Sequence, residues 1–167
     1  MRKQQKGFSL IELLIVVALI LIIAAIAIPN LMRARMAAND SSAAASERTI
    51  VTGEVGYYAA YPTVGYALLP ALGGAVPCTP LPASGCLIDD NLATNGAGIG
   101  KSGYNFTVNL VGAPPIQFDT EATPISAQTG TKAFCAMEDG VVRTNTPGVI
   151  AAAGGYAGCQ KFLPMAN

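Results

Sequence analysis

Few residues of this chain are of types that do chemistry, and the most conspicuous is a carboxylate set in an apolar run. Glu12 is the only charged residue between Phe8 and Ile28, in FSLIELLIVVALILIIAAIAI. A lone carboxylate in such a helix costs about 2.5 kcal/mol or more in a bilayer, so Glu12 needs a partner. Cys78, Cys86, Cys135 and Cys159 offer either disulfides or metal ligands. Zinc is a poor reading, because the cysteines lack paired CxxC spacing and the chain has no histidine. The same lack removes Ser-His and Cys-His nucleophiles and the HExxH metalloprotease pattern, and neither a P-loop nor a GxGxxG lies between a strand and a helix. Gly96-Ala97-Gly98-Ile99-Gly100 has no preceding strand and reads as a flexible loop rather than a phosphate cradle. Asp89-Asp90-Asn91 carries hard oxygen donors of the kind calcium takes, but reads first as a solvated acidic turn. The expectation is a protein that is not an enzyme and that holds no metal and no cofactor.

The element that must position Glu12 is the apolar run itself. At about 1.5 Å of rise per residue, residues 8–28 span roughly 30 Å as a helix, the thickness of a bilayer's hydrocarbon core. Arg2, Lys3 and Lys6 precede it. A plain membrane anchor with these cations on the cytoplasmic side leaves Glu12 unexplained. A Sec signal peptide finds a small-x-small site in Ala25-Ile26-Ala27, but Glu12 would then sit inside its apolar region, which is also longer than such a signal needs.

The junction Lys6-Gly7-Phe8-Ser9-Leu10-Ile11-Glu12-Leu13-Leu14 resembles the prepilin signature of type IV pilins and of the pseudopilins of type II secretion. That resemblance implies cleavage after Gly7 by a prepilin peptidase and N-methylation of the new N-terminal residue, Phe8. It makes Glu12 the fifth mature residue, the glutamate the family requires, and Pro29 falls where these helices commonly carry a proline. Once the leader is removed, the α-amine of Phe8 is a cation in apolar surroundings. A carboxylate from a neighbouring subunit neutralises it, since two buried charges cost far less together than apart. Glu12 is thereby an assembly residue.

Removing the three basic residues of the leader leaves seven Lys and Arg against ten Asp and Glu, a net charge of about −3. A mildly acidic surface argues against a general nucleic-acid binder. Beyond Pro29, Asn30-Leu31-Met32-Arg33-Ala34-Arg35-Met36-Ala37-Ala38 is rich in helix formers, so the proline is expected to kink the helix rather than stop it. In residues 43–61, Ala43, Ser46 or Glu47, Ile50, Glu54, Tyr57 or Tyr58 and Tyr61 recur at helical spacing. Because polar residues break this stripe, Ile50, Val51, Val55 and Tyr58 are predicted to face a globular domain. Gly53 and Gly56 permit close packing against a sheet or mark a bend. Pro62 ends the helix. Residues 46–66, SERTIVTGEVGYYAAYPTVGY, are also similar to the segment after the long helix in a group of environmental bacterial type IV pilins.

Residues 62–102 turn to Pro, Gly, Ala and Thr, so little regular structure is expected there. Strands begin at Tyr104, where Tyr104, Phe106, Val108 and Leu110 alternate with polar residues. Pro114-Pro115 breaks this strand, and residues 116–118 read as a short partner. Residues 132–137 and 140–143 flank Glu138-Asp139-Gly140, a hairpin signal. The sum is a small antiparallel sheet of three or four strands. The tyrosines and phenylalanines fit strand faces and helix packing, and read as core.

Four cysteines allow three pairings: Cys78 with Cys86 and Cys135 with Cys159, Cys78 with Cys135, or Cys78 with Cys159. The first is favoured because one bridge is local, and because the other would close a C-terminal loop over the sheet, as in family members with such a bridge. The fold class implied is α+β, a type IV pilin fold whose long N-terminal helix packs on a small antiparallel sheet. The expected parts are a leader (1–7), a transmembrane and filament-core helix (8–28), its amphipathic continuation (29–61) and a globular head (62–167). By resemblance the chain is a major pilin-like subunit, inserted in the inner membrane and polymerised into an extracellular filament. Its partners are other copies of itself, the prepilin peptidase and methyltransferase, and the assembly platform and ATPase. A pseudopilin or minor pilin is the near alternative, and a Sec-exported disulfide-bonded binding module the remote one.

Overall fold

The computed structural model describes residues 8–145 and 152–165. It divides into two compact units, Met1–Arg35 and Met36–Asn167. One helix, α1 (Leu10–Ala60), runs through the first and into the second. Its first half is almost wholly Leu, Ile, Val and Ala, which suits a helix shielded from water, and Pro29 lies inside it without ending it. The hydroxyls of Ser41, Thr49 and Thr52 donate to carbonyls four residues back, so these polar side chains are satisfied within the helix. α1 closes just before the Tyr61-Pro62 pair.

In the first unit the described side chains are exposed, apart from a half-buried Ala24. The second unit holds the core. There α1 buries Ala43, Ala44, Ser46, Glu47, Ile50, Val51, Gly53, Glu54 and Tyr57. Two of the expected contact residues are thereby corrected, since Val55 is 50% and Tyr58 37% exposed. At 100° per residue, positions 43, 47, 50, 54 and 57 fall on one face, and that geometry puts two glutamates inside and the neighbouring Val55 outside. Tyr58 instead stacks on Tyr66, ring centroids 4.8 Å apart.

Against this face lies an antiparallel sheet of five strands in the order β1-β2-β3-β4-β5: β1 (Tyr104–Gly112), β2 (Pro115–Pro124), β3 (Phe134–Met137), β4 (Arg143–Thr144) and β5 (Leu163–Pro164). The sheet has one strand more than the upper expectation of four, because β5 has only two residues and no pattern to betray it. Strand β2 is ten residues long rather than the three expected, paired across its length with β1 from Tyr104↔Pro124 to Gly112↔Pro115. The second strand of the hairpin begins at Arg143 instead of Gly140; the turn itself is where expected, with Gly140 at φ 72° and its N–H donating to the Met137 carbonyl. Phe106, Val108, Phe118, Ala122, Phe134 and Ala136 join the core formed with α1. Cys135 and Met137 belong to a separate cluster with Cys159, next to α4 (Tyr156–Cys159).

Residues 62–102 contain single turns of helix, α2 (Leu69–Leu72), α3 (Asp90–Ala93) and a 3₁₀ turn at Gly96–Gly98, and isolated bridges at Leu81↔Ser84 and Lys101↔Tyr104. They pack on α1 through its glycines. A Cβ at Gly53 would lie 2.9 Å from Ile88 Cγ2, and one at Gly56 would meet Leu87. The close approach these glycines allow is therefore to the 87–88 segment and not to the sheet.

Candidate functional site

The helix starts at Leu10, with Ser9 just ahead of it and Phe8, 91% exposed, at the edge of the described residues. Glu12 stands in the first turn, where the helix dipole favours a negative charge, and its Oε2 accepts a 3.3 Å hydrogen bond from the Ser9 N–H. Ser-x-x-Glu with this backward reach is the glutamate half of a capping box. Behind it the apolar side chains stand in the open: Ile11 is 64%, Ile20 59%, Leu21 63% and Ile28 58% exposed. α1 is long and apolar enough to cross a membrane. Phe8, Glu12 and Pro29 thus belong to one uninterrupted segment, whereas Gly7 and the expected leader lie outside the described residues.

A surface of that kind has one chemical use, which is to be covered. Burial removes apolar area from water at about 25 cal/mol per Å², and lipid chains or the same face of other copies serve equally well. Lipid chains offer a carboxylate such as that of Glu12 no counter-charge.

The four cysteines are joined as Cys78–Cys86 and Cys135–Cys159, with Cα atoms 5.9 and 5.8 Å apart. Residues 146–151 of the C-terminal loop lie outside the described residues. Asp89 caps α3, its Oδ1 accepting from the Leu92 N–H at 2.9 Å, and its Oδ2 pairs with Lys101 Nζ at 3.3 Å. These bonds occupy the carboxylate locally. Among the described residues, no three His, Cys, Asp or Glu side chains are grouped to hold a metal ion.

Sequence reasoning missed the carboxyls inside the second unit. Glu47, Glu54 and Asp119 have no exposed surface, and burial raises the pKa of each, Glu47 to about 8 and Glu54 to about 7. The signal was present, because Glu47 and Glu54 share the heptad spacing of Ala43, Ile50 and Tyr57. Polarity made them look like solvent positions.

Residues 2–28 match the family model for the prokaryotic N-terminal methylation motif. The chain is also 62% identical over 39 residues to the type IV wide pilus major component PilA4 of Thermus thermophilus, a stretch that is 23% of this chain and 30% of that relative. It thus spans less than a third of the length of the curated relative it matches. No solved structure matches.

Proposed function

We propose that the protein is the major structural subunit of a type IV pilus filament, a reading supported by the N-terminal methylation motif at residues 2–28 and by the likeness to a pilus component in Thermus. The observation that carries the reading is the first half of α1, an apolar helix left open on every side and headed by Glu12 and a methylation motif. The likeness to a major component in Thermus supports a major rather than a minor subunit.

Before assembly the chain sits in the inner membrane with its basic leader on the cytoplasmic side. A prepilin peptidase cuts after Gly7, and the exposed α-amine of Phe8 is methylated and remains cationic. On polymerisation residues 8–28 leave lipid for a bundle of the same helices, an exchange of one apolar setting for another that gives little direction by itself. Direction and register come from Glu12, whose carboxylate pairs with the Phe8 amine of a neighbour. Residues 29–61 carry the helix out of the filament core, and 62–167 form the head on the outside, closed by its two disulfides. The peptidase, the platform and the assembly ATPase are the expected machinery, and the protein's role is structural rather than catalytic.

The test is to shear filaments from cells and to sequence the N-terminus of the chain they release. A chain starting at N-methylated Phe8 is expected. For Glu12→Gln, which keeps the side chain's size and its capping hydrogen bond but not its charge, the chain is expected to be processed and membrane-bound yet absent from the sheared fraction. Filaments at wild-type level from this variant would remove the pairing, and a chain starting at Ile28 would replace the pilin reading with the Sec one.

A further inference from the structure

Filament assembly through residues 8–28 makes no use of the two carboxyls in the core of the second unit. Glu47 and Glu54 stand two turns apart on the buried face of α1, both without exposed surface. Oε2 of Glu47 accepts from the hydroxyl of Thr120 on β2, and Oε2 of Glu54 accepts from the Ala67 N–H at 3.0 Å. The other oxygen of each, Oε1, is buried with no hydrogen-bond partner among the described residues. An ionised carboxylate accepts at both oxygens, and one left half-bonded in a core loses its hydration without replacement.

The groups around them do not repair this. From β2, Asp119 and Glu121 bear on Glu47, and both are acidic. Asp119 is itself buried, with Oδ2 accepting from Asn109 Nδ2 at 2.9 Å and Oδ1 unpartnered among the described residues. Near Glu54 the titratable groups are Tyr57 on α1 and Tyr66 in the loop after it. Glu138, next to the turn after β3, bears on both Asp119 and Tyr66. No lysine or arginine is among these neighbours. The ion pairs of the described residues, Lys101 with Asp89 and Arg143 with Asp139, are elsewhere.

We propose that the seam joining α1 to β2 and to the loop at Ala67 is a proton-dependent joint, closed while Glu47 and Glu54 carry their protons and loosened when alkali removes them. The neutral acid fits the site, because it asks for less solvation than the carboxylate and leaves no charge in the core. Ionisation transfers the proton to water and leaves a negative charge in the core, raised further in energy by Asp119 and Glu121 of β2, so the helix face and the strand separate to let water in.

The sign is set by the folded values. Glu47 is raised from 4.5 to about 8, by burial first and then by Glu121 and Asp119 against the lowering effect of Thr120; Glu54 is raised from 4.5 to about 7, by burial against the Ala67 hydrogen bond. A carboxyl raised in the fold destabilises it progressively as pH climbs from the unfolded value of 4.5 to the folded one, and the loss is complete above about 8. Stability should therefore fall between pH 5.5 and pH 9, where surface carboxylates have long been ionised.

The experiment uses the full chain in detergent micelles, unfolded with denaturant at pH 5.5 and pH 9 with the disulfides intact. The unfolding equilibrium constant of the wild type is expected to rise by about a hundredfold or more between the two, each unit of raised pKa being a factor of ten. In the double variant Glu47→Gln, Glu54→Gln the rise should shrink to under about tenfold, because an amide mimics the protonated acid and cannot ionise. A rise in the variant equal to that of the wild type would overturn the proposal. The infrared carboxyl absorption of the wild type provides a second readout that needs no mutation. Protonated acid present at pH 6 and gone by pH 9 is expected, and carboxyl groups fully ionised at pH 6 would overturn the joint whatever the variant does.

Discussion

Tyr104 ties three segments together through one oxygen. Its hydroxyl lies 2.6 Å from Asp40 Oδ1 on α1 and 2.8 Å from the Lys132 carbonyl ahead of β3, while its buried ring packs in the core. Asp40 in turn accepts from the Thr131 N–H at 3.0 Å and from the Thr131 hydroxyl, and Asn39 Nδ2 donates to the Thr129 carbonyl at 2.7 Å. Burial and then the hydrogen bond to Asp40 push the ionisation of the phenol well up, so the hydroxyl remains a donor throughout the working pH range. Tyr104→Phe keeps the ring and removes only that donor. It should cost about 1–3 kcal/mol, the range for a hydrogen bond to a charged group plus an acceptor left unmet, read as a lower denaturation midpoint with an unchanged slope. Asp40→Asn should cost less, because the amide oxygen still accepts from Thr131. A Phe variant as stable as wild type would mean that helix and sheet are held by ring packing alone.

Among the elements, the C-terminal segment is the one that depends most on covalent help. It covers the outer face of the sheet through the Cys135–Cys159 bridge, through the Gly155 N–H donating to Glu121 Oε1 at 2.7 Å, and through Tyr156, whose hydroxyl donates to Glu138 and accepts from Gln117 Nε2 at 3.2 Å. The Tyr156 phenol is pushed up to about 12, first by that bond to Glu138. A bridge 24 residues apart restricts the unfolded chain more than one 8 apart, about 3.5 against about 2.5 kcal/mol by loop entropy alone. Replacing Cys135 and Cys159 by serine is expected to cost more than the Cys78, Cys86 pair, and limited proteolysis should then cut first after Gly155. Equal losses from both pairs would show that the segment is held by Tyr156 and Gly155 instead.

Legibility in the sequence tracked the same elements. Strand β1 was readable because its polar positions alternate with Tyr104, Phe106 and Val108, and the turn at Gly140 because Asp-Gly supplies a positive φ. Strand β2 was half lost, since Asp119 and Glu121 are buried under the C-terminal segment and so erase the alternation that marks a strand. Strand β5 carries two residues and no period at all. The face of α1 was misread at Val55 and Tyr58 for a related reason, because the positions that turn inward include two glutamates whose burial no hydropathy pattern signals. The methylation motif at the N-terminus was legible, since it is a matter of chemical types at fixed spacing rather than contacts.

At the scale of the molecule, the two units ask for different surroundings. The buried apolar residues all belong to the second unit, beginning at Ala43, while the described residues of the first are open to whatever covers them. The second unit has its own core, its own sheet and both disulfides, so it is expected to fold without the first. A chain beginning at Met36 should therefore be a monomer in detergent-free buffer, with both bridges formed and with the pH dependence of Glu47 and Glu54 intact. The full chain should sediment unless detergent or lipid is present, because an apolar helix of this length exposed to water drives association at about 25 cal/mol per Å² of surface removed. Size-exclusion chromatography and sedimentation of the two chains check this directly. If the shortened chain also associates, then the exposed apolar side chains of the second unit, Val55, Leu68 and Leu87 among them, drive association as well, and the apolar first half of α1 is not its only source.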